Sequence, residues 1–122
     1  MKLRILDGPY TICKLKNLAD APLDGEFVFI AKTDEEISLV CRTGQVPGET
    51  VEREDGWVCF GIIGQMEFNL VGVIAGISAV LAAENIGIFV VSTYNTDYIL
   101  VKEKDLDQAV QALERSGYSI SR

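Results

Sequence analysis

Between two apolar stretches, Ile88–Val91 and Tyr98–Val101, the chain carries Ser92-Thr93-Tyr94-Asn95-Thr96-Asp97. Six consecutive residues thus supply hydroxyls, one amide and one carboxylate. Val90, Val91, Ile99, Leu100 and Val101 are types that fit a pleated, half-buried sheet, so the polar run is read as a loop joining two strands. A two-residue hairpin with Asn-Gly or Asp-Gly would close such a pair more simply. The run is therefore either a capped turn or a site that reads a small polar ligand. As a turn, Thr96 and Asp97 would hydrogen-bond their own backbone. Asp97 argues for the ligand, because a carboxylate at the head of a buried strand is costly without a partner. It could neutralise an ammonium or guanidinium. The opposite charge would be met by backbone N–H groups at Gly72 and the helix start that follows it. Such a pairing suits a free amino acid.

Catalytic chemistry is poorly provided for. The 122 residues include no histidine, which removes the usual general base and the commonest metal ligand. No G-x-S-x-G elbow, P-loop or G-x-G-x-x-G occurs, and a Ser or Cys nucleophile has no base to activate it. Asp34, Glu35-Glu36 and Glu52, Glu54, Asp55 are charge runs read as solvated turns. An acylphosphatase-like use of the fold needs a cationic cradle after the first strand, and Gly64-Gln65-Met66-Glu67-Phe68 has no cation. Cys13, Cys41 and Cys59 are widely spaced in apolar segments and read as buried thiols, not as a zinc or redox site. No catalytic residue, metal or cofactor is expected.

Charge narrows the partners. Eleven basic against eighteen acidic residues give a net charge of −7, which repels phosphate backbones and anionic membranes. RNA recognition on a sheet would also want exposed aromatics in a basic surround. Nucleic acid and membrane are thus set aside. The longest apolar run, Leu70–Ala83, is shorter than the roughly 20 residues a bilayer span needs. The N-terminus has no apolar core or cleavage site of a signal peptide, and free thiols suit a reducing cytoplasm.

The elements that must position these residues follow from periodicity. Strands are expected at Leu3–Leu6, Tyr10–Leu15, Phe27–Ile30 and Ile37–Cys41. A charged, Gly- and Pro-bearing stretch at 42–56 reads as a linker, with residues 1–55 and 57–122 as the two domains. Beyond it, Trp57–Ile63 is a strand. Leu70, Val73, Ile74, Ile77, Val80 and Leu81 then form one helical stripe, with Asn69 as N-cap and Gly87 as left-handed C-cap. Asp105-Leu106-Asp107-Gln108 reads as a capping box for a helix buried through Leu106, Ala109, Val110 and Leu113. Ser116-Gly117 ends it, and Tyr118-Ser119-Ile120 is a last strand. The order from Trp57 is β-α-β-β-α-β, the split βαβ pattern. An ungapped match of Phe27–Val40 with Ile88–Val101 sets Glu36 against Asp97. The first half then reads as a shortened copy lacking most of its first helix.

With these residues in view, NLVGVIAGISAVLAAENIGIFVVSTYNTDYILVKEKDLDQAVQAL resembles the ACT domain, a small regulatory module that binds amino acids. Ser92-Thr93-Tyr94-x-Thr96-Asp97-Tyr98-Ile99-Leu100-Val101 is similar to the ACT modules of lysine-sensitive aspartate kinases and of the CASTOR arginine sensors. Gly8-Pro9-Tyr10-x-Ile12-Cys13-x-Leu15 and Gly56-Trp57 resemble small bacterial paired-ACT proteins. The resemblance implies an α+β fold of two tandem ferredoxin-like units, the first shortened and strand-rich. It implies a non-catalytic sensor that binds a free amino acid, with lysine and arginine as candidates, through Gly72, Val73, Thr93, Tyr94, Thr96 and Asp97. Val71 stands where many ACT domains carry proline. A homodimer is expected, because units of this family pair to complete the pocket. The alternative is a structural dimerisation domain that has lost its ligand.

Overall fold

The computed structural model describes residues 1–63 and 72–122. Its elements are β1 (Lys2–Ile5), β2 (Tyr10–Lys14), β3 (Phe29–Lys32), β4 (Ile37–Arg42), β5 (Glu52–Ile63), α1 (Val73–Ala83), β6 (Ile88–Ser92), β7 (Asp97–Lys102), α2 (Leu106–Arg115) and β8 (Ser119–Ser121). They form two compact units, residues 1–7 with 58–122, and residues 8–57. The strand β5 supplies residues to both.

In the larger unit the β-α-β-β-α-β order expected from Trp57 onward is present. Its strands run β6-β7-β5-β1-β8, with β1 antiparallel to β5 and parallel to β8. The first strand of the chain therefore sits in this sheet, whereas the sequence reading grouped it with residues 1–55. The cause is its alternation. Leu3 and Ile5 point inward and join Val58, Phe60 and Ile62 in one apolar cluster, while Lys2 and Arg4 face out. The same cluster takes Ile77 and Leu81 from α1, Ala109 and Leu113 from α2, and Ile99 and Val101 from β7. Close approach of β7 to β5 leaves little room for a side chain at Gly61, where a Cβ would lie 3.3 Å from the Tyr98 ring.

Both helices end by the same device at unlike residues. Asn85 takes the left-handed conformation (φ 60°) after α1, and Ile86 N–H donates to Leu81 O at 3.0 Å. Gly117 (φ 97°) follows α2, with Tyr118 N–H donating to Leu113 O at 3.0 Å. These are Schellman-type ends, and Asn85, not Gly87, carries the first one. The expected capping box is also absent. A 3-10 turn at Glu103–Asp105 holds Asp105 at φ −100°, ψ 0°, outside the extended backbone that aims an N-cap side chain. Gln108 instead donates to Glu84 at 3.4 Å. Asn69, the expected N-cap of α1, lies outside the described residues.

The smaller unit is a four-stranded antiparallel sheet in the order β3-β4-β2-β5, its last strand being residues 52–57. Cys13, Leu15, Leu39 and Cys41 form its buried cluster. The expected linker at 42–56 is thus partly strand: Glu52, Arg53 and Glu54 pair with Lys14, Cys13 and Ile12. Their side chains are all exposed, so no apolar alternation announced them; backbone pairing with β2 carries the strand. Asp55 and Gly56 (φ 85°) together oppose Thr11 as a bulge built on a left-handed glycine. The unit has short 3-10 turns at Leu18–Asp20 and Thr43–Gln45 and no α-helix among its described residues. It therefore lacks both helices, not only the first.

Two hairpins share one construction. Lys32 pairs with Ile37 and Ser92 with Asp97, each pair closing a four-residue loop. Thr33 N–H donates to Glu36 O at 2.9 Å, and Thr93 N–H to Thr96 O at 2.8 Å. Each threonine hydroxyl also accepts from the amide three residues on, at 3.2 Å and 3.3 Å. The strands after the loops are buried alike, and a 3-10 turn follows each. This equivalence sets Ile37 opposite Asp97, one residue away from the ungapped match that chose Glu36.

Candidate functional site

The loop Thr93–Thr96 is held by its own backbone. Thr93 N–H and Oγ1 both donate to Thr96 O, and Oγ1 accepts from Thr96 N–H. The turn is thus closed by the Thr93 hydroxyl and the Thr96 backbone, whereas the capped-turn reading named Thr96 and Asp97. Tyr94 projects from it and is 83% exposed.

Asp97 behaves differently. It opens β7 opposite Ser92, is half-buried, and its carboxylate makes no hydrogen bond or ion pair among the described residues. Asp97 therefore offers a negative charge that no described side chain balances and that a cation can pair with. Ser92, which the six-residue set omitted, lies directly across the ladder. The sequence places Ser92 in the polar run, and pairing register sets it against Asp97.

Gly72 and Val73 begin α1. Gly72 (φ 85°) occupies the N-cap position with no side-chain cap, and its carbonyl accepts from Gly76 N–H at 2.8 Å. Val73 is half-buried. The first turn of α1 holds no acidic residue, so the amides and the positive end of the helix dipole face no carboxylate of their own turn. The helix starts beyond the end of β5 and returns the chain to the start of β6. Connectivity therefore puts Gly72 and the β6–β7 loop at one end of the unit. A groove of about 400 Å³ lined by Ala79, Val80, Ala83, Glu84, Ala112, Arg115 and Ser116 lies at the other end of α1. It is separate from these residues.

Burial raises the three thiols, Cys59 to about 12, Cys41 to about 11, and Cys13 above its ordinary value. They are free and protonated at neutral pH, which makes them poor nucleophiles and poor metal ligands. Among the described residues no group of three acids, cysteines or histidines could hold a metal ion. No described helix is long and apolar enough to cross a membrane.

Comparison with known proteins agrees with this architecture. The sequence model of the ACT domain matches residues 52–115, and a separate N-terminal domain model matches residues 8–49. A crystal structure of a protein from Agobacterium tumefaciens is 36% identical, with TM-score 0.88 over 99% of this chain and 92% of that one. A protein of unknown function from Vibrio cholerae is 23% identical, with TM-score 0.73 over 91% and 85% of the two chains. The ligand-free regulatory subunit of aspartate kinase from Thermus thermophilus is 10% identical, with TM-score 0.65 over 94% and 97%. No curated protein sequence matched. The fold is the α+β fold of regulatory modules, with a sheet and two helices. The chain belongs to the ACT domain family, and it shares its fold with the regulatory subunit of aspartate kinase.

Proposed function

We propose that this protein is a non-catalytic sensor that binds a free amino acid at the end of the larger unit formed by α1 and the β6–β7 loop. The observation that carries this reading is Asp97, a half-buried residue at the head of β7 whose carboxylate has no partner among the described residues. Asp97 takes the ligand's cation. The amides at Gly72 and Val73 take its α-carboxylate, which the uncapped, acid-free first turn of α1 is suited to accept. Tyr94, exposed on the loop, closes over the ligand, while Thr93 and Thr96 hold the loop and offer backbone contacts. Lysine and arginine are the candidate ligands, since each carries a second cation. The smaller unit, with four strands in the order of a ferredoxin-like sheet, is a helix-less second ACT-like unit. The chain works in the cytoplasm, where its three buried thiols stay reduced.

A homodimer completes the site. Among the described residues the edge strand β6 pairs only with β7, and it contains no charge or proline of the kind that protects an edge. The helix α1, also without charge, adjoins it in sequence. On a chain of net charge −7, these two uncharged elements are where two copies meet with least repulsion.

A thermal-shift screen of the purified protein against the twenty amino acids tests the reading. Binding to the folded state raises stability by about 2.7 kcal/mol at a hundredfold excess over Kd. A stabilising amino acid whose effect disappears in Asp97→Asn supports the sensor. A flat screen would leave the structural dimerisation domain as the better account.

A further inference from the structure

Two hairpins of one construction raise the question of whether the chain carries two ligand sites or one. We infer that the amino-acid site belongs to the β6–β7 hairpin alone, and that the β3–β4 hairpin is its non-binding counterpart. The inference rests on the sensor reading above and goes beyond it by fixing how many ligands a chain takes and where.

The loops themselves do not distinguish the two. Thr33 and Thr93 occupy the same position, donate the same backbone hydrogen bond across the loop, and accept from the amide three residues on. The closing pairs do distinguish them. Where the second hairpin sets Ser92 against Asp97, the first sets Lys32 against Ile37. At the head of the buried strand, the group that would take a ligand's cation is replaced by an aliphatic side chain. Across the ladder a hydroxyl is replaced by an ammonium, which repels the same cation.

The first loop does contain Asp34, Glu35 and Glu36. All three are exposed on the turn itself, in high dielectric, where a carboxylate attracts a cation weakly. The anion-binding half is missing as well. After β5 the larger unit places an eleven-residue helix with an uncapped first turn, whereas after β2 the smaller unit has only a three-residue 3-10 turn at Leu18–Asp20. One helical turn has neither the aligned amides nor the dipole that would hold a carboxylate.

The test is calorimetric titration of the intact protein with L-lysine and L-arginine as probes, followed by amide-resolved NMR of the same titration. The inference expects no more than about one molar equivalent per chain. It expects shifts at residues 92–97 with none at 32–37, binding lost in Asp97→Asn, and binding unchanged in the double variant Lys32→Ser, Glu36→Gln. Two equivalents, or shifts concentrated at 32–37, would overturn this inference and leave the sensor reading standing. Absence of binding by either probe and by the other eighteen amino acids would overturn both. The NMR map on the unmodified protein decides the location even if Asp97→Asn does not fold.

Discussion

Thr11 Oγ1 donates a 2.7 Å hydrogen bond to Asp55 Oδ1, across a bulge in which Asp55 and Gly56 together face Thr11. Thr11 is fully buried, and its hydroxyl also lies 2.8 Å from Thr43 Oγ1. The same Asp55 oxygen accepts from Arg53 Nε at 3.0 Å. One hydroxyl thus ties the bulge, the start of the 3-10 turn and the middle of β2 together. Thr11→Val keeps the shape and removes those bonds. It should lower stability by about 1 kcal/mol, measured as a reduced urea midpoint with an unchanged m-value.

The Thr11 hydrogen bond, and after it those from Arg53, hold the Asp55 carboxyl below its ordinary value. A group whose folded pKa is depressed stabilises the fold above its unfolded pKa, about 3.9 for Asp. That contribution is lost as pH falls through the folded value. Asp55→Asn should therefore lower Tm at pH 7, and the gap from the unmodified protein should narrow as pH drops below about 4. A gap that stays constant with pH would show that Asp55 acts by packing alone.

Cys59 and Cys41 lead to the opposite pH dependence. Their folded pKa values, pushed up by burial to about 12 and about 11, lie above the unfolded value of roughly 8.5. Stability is complete below that unfolded value and falls as pH rises beyond it, because the unfolded chain alone ionises. Melting curves at pH 7 and pH 10 should show the loss. A thiol reagent at pH 8 should label the three cysteines only as fast as the chain opens. Rapid labelling of a native thiol would contradict the burial.

The sequence was legible where apolar periodicity spoke. From Trp57 the element order was readable because buried stripes such as Val73, Ile77 and Leu81 recur at helical spacing, while Val90 and Ile99 lie in strand-like runs. It was illegible where backbone pairing acted without side-chain burial. Glu52–Glu54 form a strand with every side chain exposed, and Lys2–Ile5 joins a sheet whose other strands lie more than fifty residues away. The offset between the hairpins was misplaced for a similar reason. Leu-Val recurs at 39–40 and at 100–101 and so aligns Glu36 with Asp97, yet the loop hydrogen bonds of Thr33 and Thr93 fix the true correspondence. Of the candidate site, Asp97 was readable as a carboxylate ahead of a buried run and Ser92 as a hydroxyl of the polar run, but their pairing across the ladder was not.

The end of α1 offers a direct comparison between what sequence suggests and what the backbone does. Asn85 stands at φ 60°, whereas Gly87 is not in the left-handed region, and a Cβ added to Gly87 would meet nothing within 4 Å. Asn tolerates the left-handed conformation better than other side chains, and Ala pays roughly 1–2 kcal/mol there. Asn85→Ala should therefore destabilise the protein by about 1 kcal/mol, while Gly87→Ala should be close to neutral. Equal effects in parallel denaturation curves would argue against this helix end.

Val90 lies at the middle of β6 and is 36% exposed, on a strand that pairs on its outer side with no other strand among the described residues. If a second copy pairs there, a lysine at position 90 sets two like charges against each other across a twofold axis, and it protects the edge as natural edge lysines do. Val90→Lys should then convert a dimer into a single chain in sedimentation equilibrium, with little change in the far-ultraviolet circular dichroism. Because the proposed site is completed by that partner, amino-acid affinity should fall together with the dimer. Loss of the dimer with affinity intact would place the whole site within one chain. An unmodified protein that sediments as a single chain at any concentration would remove the dimer from the account, while leaving the carboxylate of Asp97 to be tested on its own.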